Sequence, residues 1–233
     1  MMKRFIFSIF LLPLLLASPQ TKAQGIMLTP KWTAQAQFTG YYVADKLGFY
    51  KEEGIDVCVQ HPAISESSFS FMEKGRAPVV IMNLSYAFME RLAGARVVNV
   101  MQTSQENSLM LISHSPLKGE ESLRNQKIAV WNHLSQKLLD RLAEHYALKQ
   151  VEWIRFNSGV NVFLSGAADP CLVGSYNEYL QLSEYGMNVD SIYSIRLADY
   201  GYNLPEDGLY VTEEFYNQYP EVVRKLVKAS MRG

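Results

Sequence analysis

Short apolar, β-branched runs alternate with helix-length amphipathic stretches along most of this chain, and that alternation restricts it to α/β folds built from βαβ units. Strands are expected at 26–32, 55–60, 79–82 and 97–101, with helices at 38–50, 65–73 and 85–92 between them. Ser65 is a candidate N-cap, and Gly54, Gly75 and Gly94 close the helical stretches. The pattern then restarts after the strand 109–113. Strands at 127–131, 151–156, 171–173 and 192–197 alternate with helices at 134–148, 160–164 and 178–184. Leu134, Leu138, Leu142 and Tyr146 recur at helical spacing in the longest of these. Two α/β blocks joined by two crossings, the second inserted in the first, predict mainly parallel sheets with a hinge and an interlobe cleft. The expected boundaries are 24–114 and 196–233 for lobe 1, and 115–195 for lobe 2.

The first 23 residues are set apart from this pattern. Lys3 and Arg4 precede an apolar run from Phe5 to Leu16, and Thr21-Lys22-Ala23 places small residues at −3 and −1 of a cleavage site. This is the layout of a secretory signal peptide cut after Ala23, too short for a membrane span and without the cysteine of a lipid anchor. About 210 residues remain, enough for two small lobes. The chain has 22 basic and 23 acidic residues, which argues against nucleic acid or an anionic membrane surface as a partner. Cys58 and Cys171 lie in apolar runs and are expected to be buried free thiols. At the other end, Pro220 opens a helix with an apolar face of Val223, Leu226 and Val227 that runs to the last residues. A helix ending with the chain suggests C-terminal truncation.

One stretch is more specific. Lys31-Trp32-Thr33-Ala34-Gln35-Ala36-Gln37-Phe38-Thr39-Gly40-Tyr41-Tyr42-Val43-Ala44 leads on to Gly48-Phe49-Tyr50 and Gly54-Ile55-Asp56-Val57. Further along come Asn125-Gln126-Lys127-Ile128-Ala129-Val130-Trp131, Gly174-Ser175-Tyr176-Asn177-Glu178 and Tyr200-Gly201-Tyr202. Together these resemble the thiamine-pyrimidine-precursor-binding family among the type II periplasmic binding proteins, from Ile26 to Gly233. The resemblance implies a two-lobed binding protein that takes a hydroxymethyl- or formylaminopyrimidine between its lobes and hands it to an ABC permease. Lys31 departs from the family's transport branch, which commonly has Asp or Asn there, and looks more like binding modules attached to sensor proteins. A sensory module for a small solute is therefore the second reading.

Candidate ligand contacts follow from the carboxyl edge of an open α/β sheet, where ligands bind. Trp32, Gln35, Gln37 and Tyr41 surround the end of the first strand, with Trp32 or Tyr41 able to stack on a flat ring. Asn83, Trp131 and Asn157 fall at other strand ends. Tyr176, Asn177 and Glu178 match the family's Tyr-Asn-x-Glu segment, with the glutamate one place early, and the resemblance implies a carboxylate reading an exocyclic amine. Each has a plainer alternative: Trp32 as core, one of Tyr41 and Tyr42 as packing, Glu178 as a residue favoured by a helix start.

Catalysis finds little support. His61, His114, His133 and His145 lack metal-ligand spacing, and no G-x-S-x-G elbow, phosphate-binding loop or dinucleotide fingerprint is present. A fungal pyrimidine synthase of the same fold implies a pyridoxal-phosphate lysine and a cysteine-rich iron motif. Here no lysine lies between Glu52 and Glu73, and there are two cysteines in all. The expectation is a periplasmic binding protein with no cofactor, no metal and no enzymatic activity.

Overall fold

The computed structural model describes residues 25–63, 65–117, 123, 126–131, 140, 143–144, 150–157 and 159–233. The 1–23 leader lies outside these residues, as does the 134–148 helix apart from Asp140, Ala143 and Glu144.

The first sheet begins with β1 (Ile26–Thr29). A 3-10 turn at Ala36–Phe38 leads into α1 (Thr39–Lys46) and α2 (Phe49–Glu52). The single helix expected over 38–50 is broken because Gly48 adopts φ 78°, a left-handed conformation that stops α1 and re-aims the chain. Then follow β2 (Val57–Val59), α3 (Ser68–Glu73), β3 (Val79–Asn83), α4 (Leu84–Leu92) and β4 (Val97–Gln102). Ser67, rather than Ser65, caps α3: its Oγ accepts the Ser70 N–H at 3.1 Å.

The second sheet holds β5 (Leu109–Ser113), β6 (Lys127–Trp131), β7 (Glu152–Phe156), α5 (Asn161–Leu164), β8 (Cys171–Gly174), α6 (Glu178–Glu184) and β9 (Tyr193–Arg196). The chain returns to the first sheet as β10 (Asp207–Thr212) and ends with α7 (Glu213–Gln218) and α8 (Pro220–Arg232). Strand order is β2-β1-β3-β10-β4 in one sheet and β7-β6-β8-β5-β9 in the other.

Each sheet is mainly parallel, with one strand running against the other four. β1, β2 and β3 pair in parallel, but β10 runs against β3 and β4; β6 pairs in parallel with β7 and β8, while β5 runs against β8 and β9. The reversed strands, β5 and β10, are the ones the chain enters on passing from one sheet to the other. Sheet membership assigns 109–113 to the second lobe. The two crossings accordingly fall at 103–108 and 197–206.

Each sheet is apolar on both faces, as sheets covered on two sides require. In the first lobe Val79, Ile81, Leu209 and Val211 face one core, and Val80, Met82 and Tyr210 the other. In the second, Met110, Ile112, Ala129, Cys171 and Val173 oppose Leu111, Ile128, Val130 and Leu172. α8 closes the first lobe by setting Val223, Leu226, Ala229 and Ser230 against the core, with Tyr50 Oη 3.0 Å from Ser230 Oγ. Cys171 is buried as expected, but Cys58 is exposed, because β2 is an edge strand and this residue lies on its outward side.

Candidate functional site

The carboxyl ends of β1 and β3 meet the two crossings, and here polar side chains converge. Lys31, two residues past β1, is ion-paired through Nζ to Asp207, the first residue of β10. The same ammonium donates to Asn83 Oδ1 at 2.5 Å. The Asp207 carbonyl accepts the Thr103 and Ser104 N–H groups, both at 3.0 Å, and the Thr103 hydroxyl at 2.8 Å. One residue earlier, Glu206 Oε2 accepts from Ser108 Oγ at 2.7 Å. Asn107 N–H donates to Asn203 Oδ1 at 2.9 Å, and Arg196 Nη2 to Glu106 Oε2 at 2.7 Å. The two crossings are thus stitched along their length.

Tyr176, from the loop after β8, carries the second lobe to this network. Burial raises its ionisation well above the ordinary phenol value, reinforced by the nearby negative charges of Glu206, Asp207 and Glu178 and opposed by the Ser108 hydroxyl. Burial likewise raises Glu206, against the opposing pull of Lys31 and Ser108. Three carboxylates therefore act on one tyrosine, and the ammonium beside them is already paired with Asp207. The local balance is negative, favouring hydrogen-bond donors over anions.

The other sequence-predicted residues are distributed more widely. Trp32 is half-buried at the rim of the first core. Gln37 Nε2 donates to Gln35 Oε1 at 2.6 Å, so these two bond to each other. The Tyr41 ring lies in the core, 5 % exposed; burial raises its ionisation, with the Thr103 side chain acting in the other direction. Glu178 is folded back: Oε2 accepts the Gly174 N–H at 3.0 Å and Oε1 the Asn177 Nδ2 at 3.1 Å, leaving it 6 % exposed. Asn177 Oδ1 accepts from Gln181 Nε2 at 3.0 Å. Trp131 is buried at the end of β6, 6.2 Å from the Phe156 ring, and Asn157 is exposed beyond β7. Lys31, Asn83 and Tyr176 thus share the crossings, whereas Trp131 and Asn157 sit at the far strands of the second sheet.

Sequence reasoning missed Ser108, Glu206 and Asp207. The available signal was two adjacent acids after Pro205 at the return to the first sheet. Two grooves, of about 680 and 370 Å³, lie away from this site, where Arg96 and Thr212 meet α7 and α4. Among the described residues, no three His, Cys, Asp or Glu side chains form a metal-binding group, and no helix is long and apolar enough to cross a membrane.

Comparison with known proteins bears on this arrangement. The family model described as NMT1/THI5 like matches residues 35–233. The chain belongs to this family. It is 29% identical to the riboflavin-binding protein RibY of Chloroflexus aurantiacus, over 92% of the chain and 62% of that protein. It is 24% identical to the formylaminopyrimidine-binding protein of Halalkalibacterium halodurans, over 100% of the chain and 74% of that protein. A yeast 4-amino-5-hydroxymethyl-2-methylpyrimidine phosphate synthase, THI13 of Saccharomyces cerevisiae, is 22% identical over 85% of the chain and 62% of its own length. The chain therefore spans less than two thirds of the length of several curated relatives. In fold it matches the periplasmic aliphatic sulphonate binding protein SsuA of Escherichia coli, with a TM-score of 0.66 at 13% identity over 88% of the chain and 71% of that structure. This is the two-lobed type II periplasmic binding protein fold.

Proposed function

We propose that this chain is the solute-binding component of an ABC importer, exported to the periplasm, and that it binds a small nitrogen heteroaromatic between its lobes without transforming it. An aminopyrimidine precursor of thiamine is the leading ligand. The observation that carries this reading is the polar cluster at the crossings, where Glu206 accepts from Ser108 and Asp207 pairs with Lys31, with the charge of both acids reaching Tyr176 from the second lobe. An aromatic wall beside carboxylates suits a flat ring bearing amine donors, and it disfavours a sulfonate. The formylaminopyrimidine- and riboflavin-binding relatives support the same class, since both named ligands are flat nitrogen heterocycles. Trp32 on the lobe 1 rim and Tyr176 would enclose the ring, with Gln35, Gln37 and Asn83 as nearby polar groups. The synthase relatives leave catalysis as the competing outcome.

A thermal-shift screen against aminopyrimidines, riboflavin, thiamine, pyridoxal phosphate, nitrate and sulfonates tests this directly. A ligand at 100 times its Kd adds about 2.7 kcal/mol, a rise of about 5–11 °C for a chain of this size at about 2–4 °C per kcal/mol. The expected result is a rise with aminopyrimidines or riboflavin, lost in Trp32→Ala, and none with sulfonates. A shift with sulfonates alone overturns the proposal. Conversion of a bound pyrimidine, followed by mass spectrometry, overturns its non-catalytic part.

A further inference from the structure

His61 lies just beyond β2, where the Gln60 N–H bonds Leu28 O at 2.9 Å and carries the β1–β2 pairing past the end of the strand. Both of its ring nitrogens are occupied. Nδ1 meets the Trp32 backbone carbonyl, and Nε2 lies 2.6 Å from Tyr42 Oη. A carbonyl only accepts, so Nδ1 carries the proton, and in the neutral ring Nε2 accepts from the Tyr42 hydroxyl. The imidazole is further confined by Phe38, at 5.6 Å and 55° between rings, and by Tyr42, at 5.8 Å and 53°. Phe38 is fully buried. Tyr42 Oη also lies beside the Gln35 backbone, which opposes the upward effect of burial on its ionisation. One His–Tyr pair therefore holds the 31–38 loop at Trp32 and at Gln35, from β2 on one side and α1 on the other.

We infer that His61 is a positioning residue that presets Trp32 for its ring-stacking role, with Tyr42 as its brace. Fixing the Trp32 carbonyl fixes the peptide plane and the direction of the Cα–Cβ bond, so the indole is presented before ligand arrives. A loop ordered in advance spares binding the entropy of ordering it. With both nitrogens engaged, His61 has no lone pair left for a metal or a ligand; its effect passes through Trp32. This inference rests on the proposed role of Trp32 as a ligand contact.

The test uses protein labelled with 5-fluorotryptophan, in which the Trp32 resonance is the line absent from Trp32→Phe. In ligand-free His61→Ala that line should shift or broaden while the lines of Trp131 and Trp153 stay in place, and His61→Gln, which retains an amide donor for the carbonyl, should restore it in part. Affinity for 4-amino-5-hydroxymethyl-2-methylpyrimidine should fall about tenfold in His61→Ala, as expected for one lost ordering contact, and recover in His61→Gln. An unmoved Trp32 line in folded His61→Ala overturns the inference. Should wild-type protein bind no heterocycle, the functional reading fails, and the Trp32 line alone decides whether the clamp exists. If His61→Ala does not fold, Tyr42→Phe takes its place, with a smaller displacement of the same line supporting the clamp and an unchanged line overturning it.

Discussion

Lys31 and Asp207 form an ion pair that joins the exit of β1 to the entry of β10, at the point where the chain returns from the second lobe to the first. Their side chains are 19% and 6% exposed. The two residues lie far apart in sequence and close to both crossings, so the pair couples the carboxyl edge of the first sheet to the link between lobes.

A buried pair of this kind is costly to break on one side only, because the remaining charge stays desolvated. Lys31→Met should destabilise the protein by about 3–5 kcal/mol, with Asn83 also losing its donor. Asp207→Asn should cost less, and the double variant should be more stable than Lys31→Met alone. Urea unfolding of the four proteins measures the coupling. A loss below about 1 kcal/mol for Lys31→Met would mean that the pair behaves as a surface salt bridge.

The docking of the last helix rests on a hydrogen bond as well as on apolar burial. Tyr50 is 1% exposed, and its hydroxyl meets Ser230 at 3.0 Å across 180 residues of chain. Burial pushes this phenol up to about 12, with Ser230 moderating the rise. Tyr50→Phe leaves the Ser230 hydroxyl buried without its partner and should cost about 1–2 kcal/mol. Ser230→Ala in the Tyr50→Phe background should add little, a non-additivity that a double-mutant cycle in urea reads out.

Much of this architecture is legible in the sequence, because the β-branched runs of β3, β5, β6 and β8 and the glycine stops between them carry their own punctuation. β10 was not, although it is central in the first sheet. Its run Asp207-Gly208-Leu209-Tyr210-Val211-Thr212 opens on two residues that signal a turn, and only three apolar side chains follow. Its strand identity comes from its neighbours: both β3 and β4 supply a ladder of partners. The candidate site divides in the same way. Lys31, Asn83 and Tyr176 lie near strand ends that periodicity locates, whereas Glu206 and Asp207 are brought to them by the return crossing. Glu178 illustrates a further gap, since a helix-start carboxylate that folds back on Gly174 N–H reads identically in sequence to one facing a ligand.

The two cysteines should differ sharply in reactivity. Cys58 is exposed on the edge strand, while Cys171 is buried and its thiol is pushed up to about 12 by burial, with Glu178 and Asp169 adding to the rise. Labelling native protein with a thiol-specific disulfide reagent at pH 8 should modify one thiol per chain, identified as Cys58 by peptide mapping, and a second only after unfolding. Two fast-reacting thiols in native protein would contradict the packing of β8 between β6 and β5.

Glu206 should give stability a pH dependence of defined sign. Burial raises its folded-state pKa above the ordinary value of 4.5. Between those two values the folded protein holds a proton that the unfolded chain has released, so fewer protons are bound on unfolding and stability falls as pH rises through that window. Glu206→Gln keeps an oxygen to accept from Ser108 and carries no charge to desolvate. At pH 7, above the ordinary value, the variant should be the more stable protein, and near pH 4 the two should converge. Urea midpoints from pH 4 to 8, taken as the difference between the two proteins, isolate this group from the other carboxylates. A variant less stable than wild type at pH 7 would mean that ionised Glu206 is held by Lys31 and Ser108 more strongly than burial opposes it.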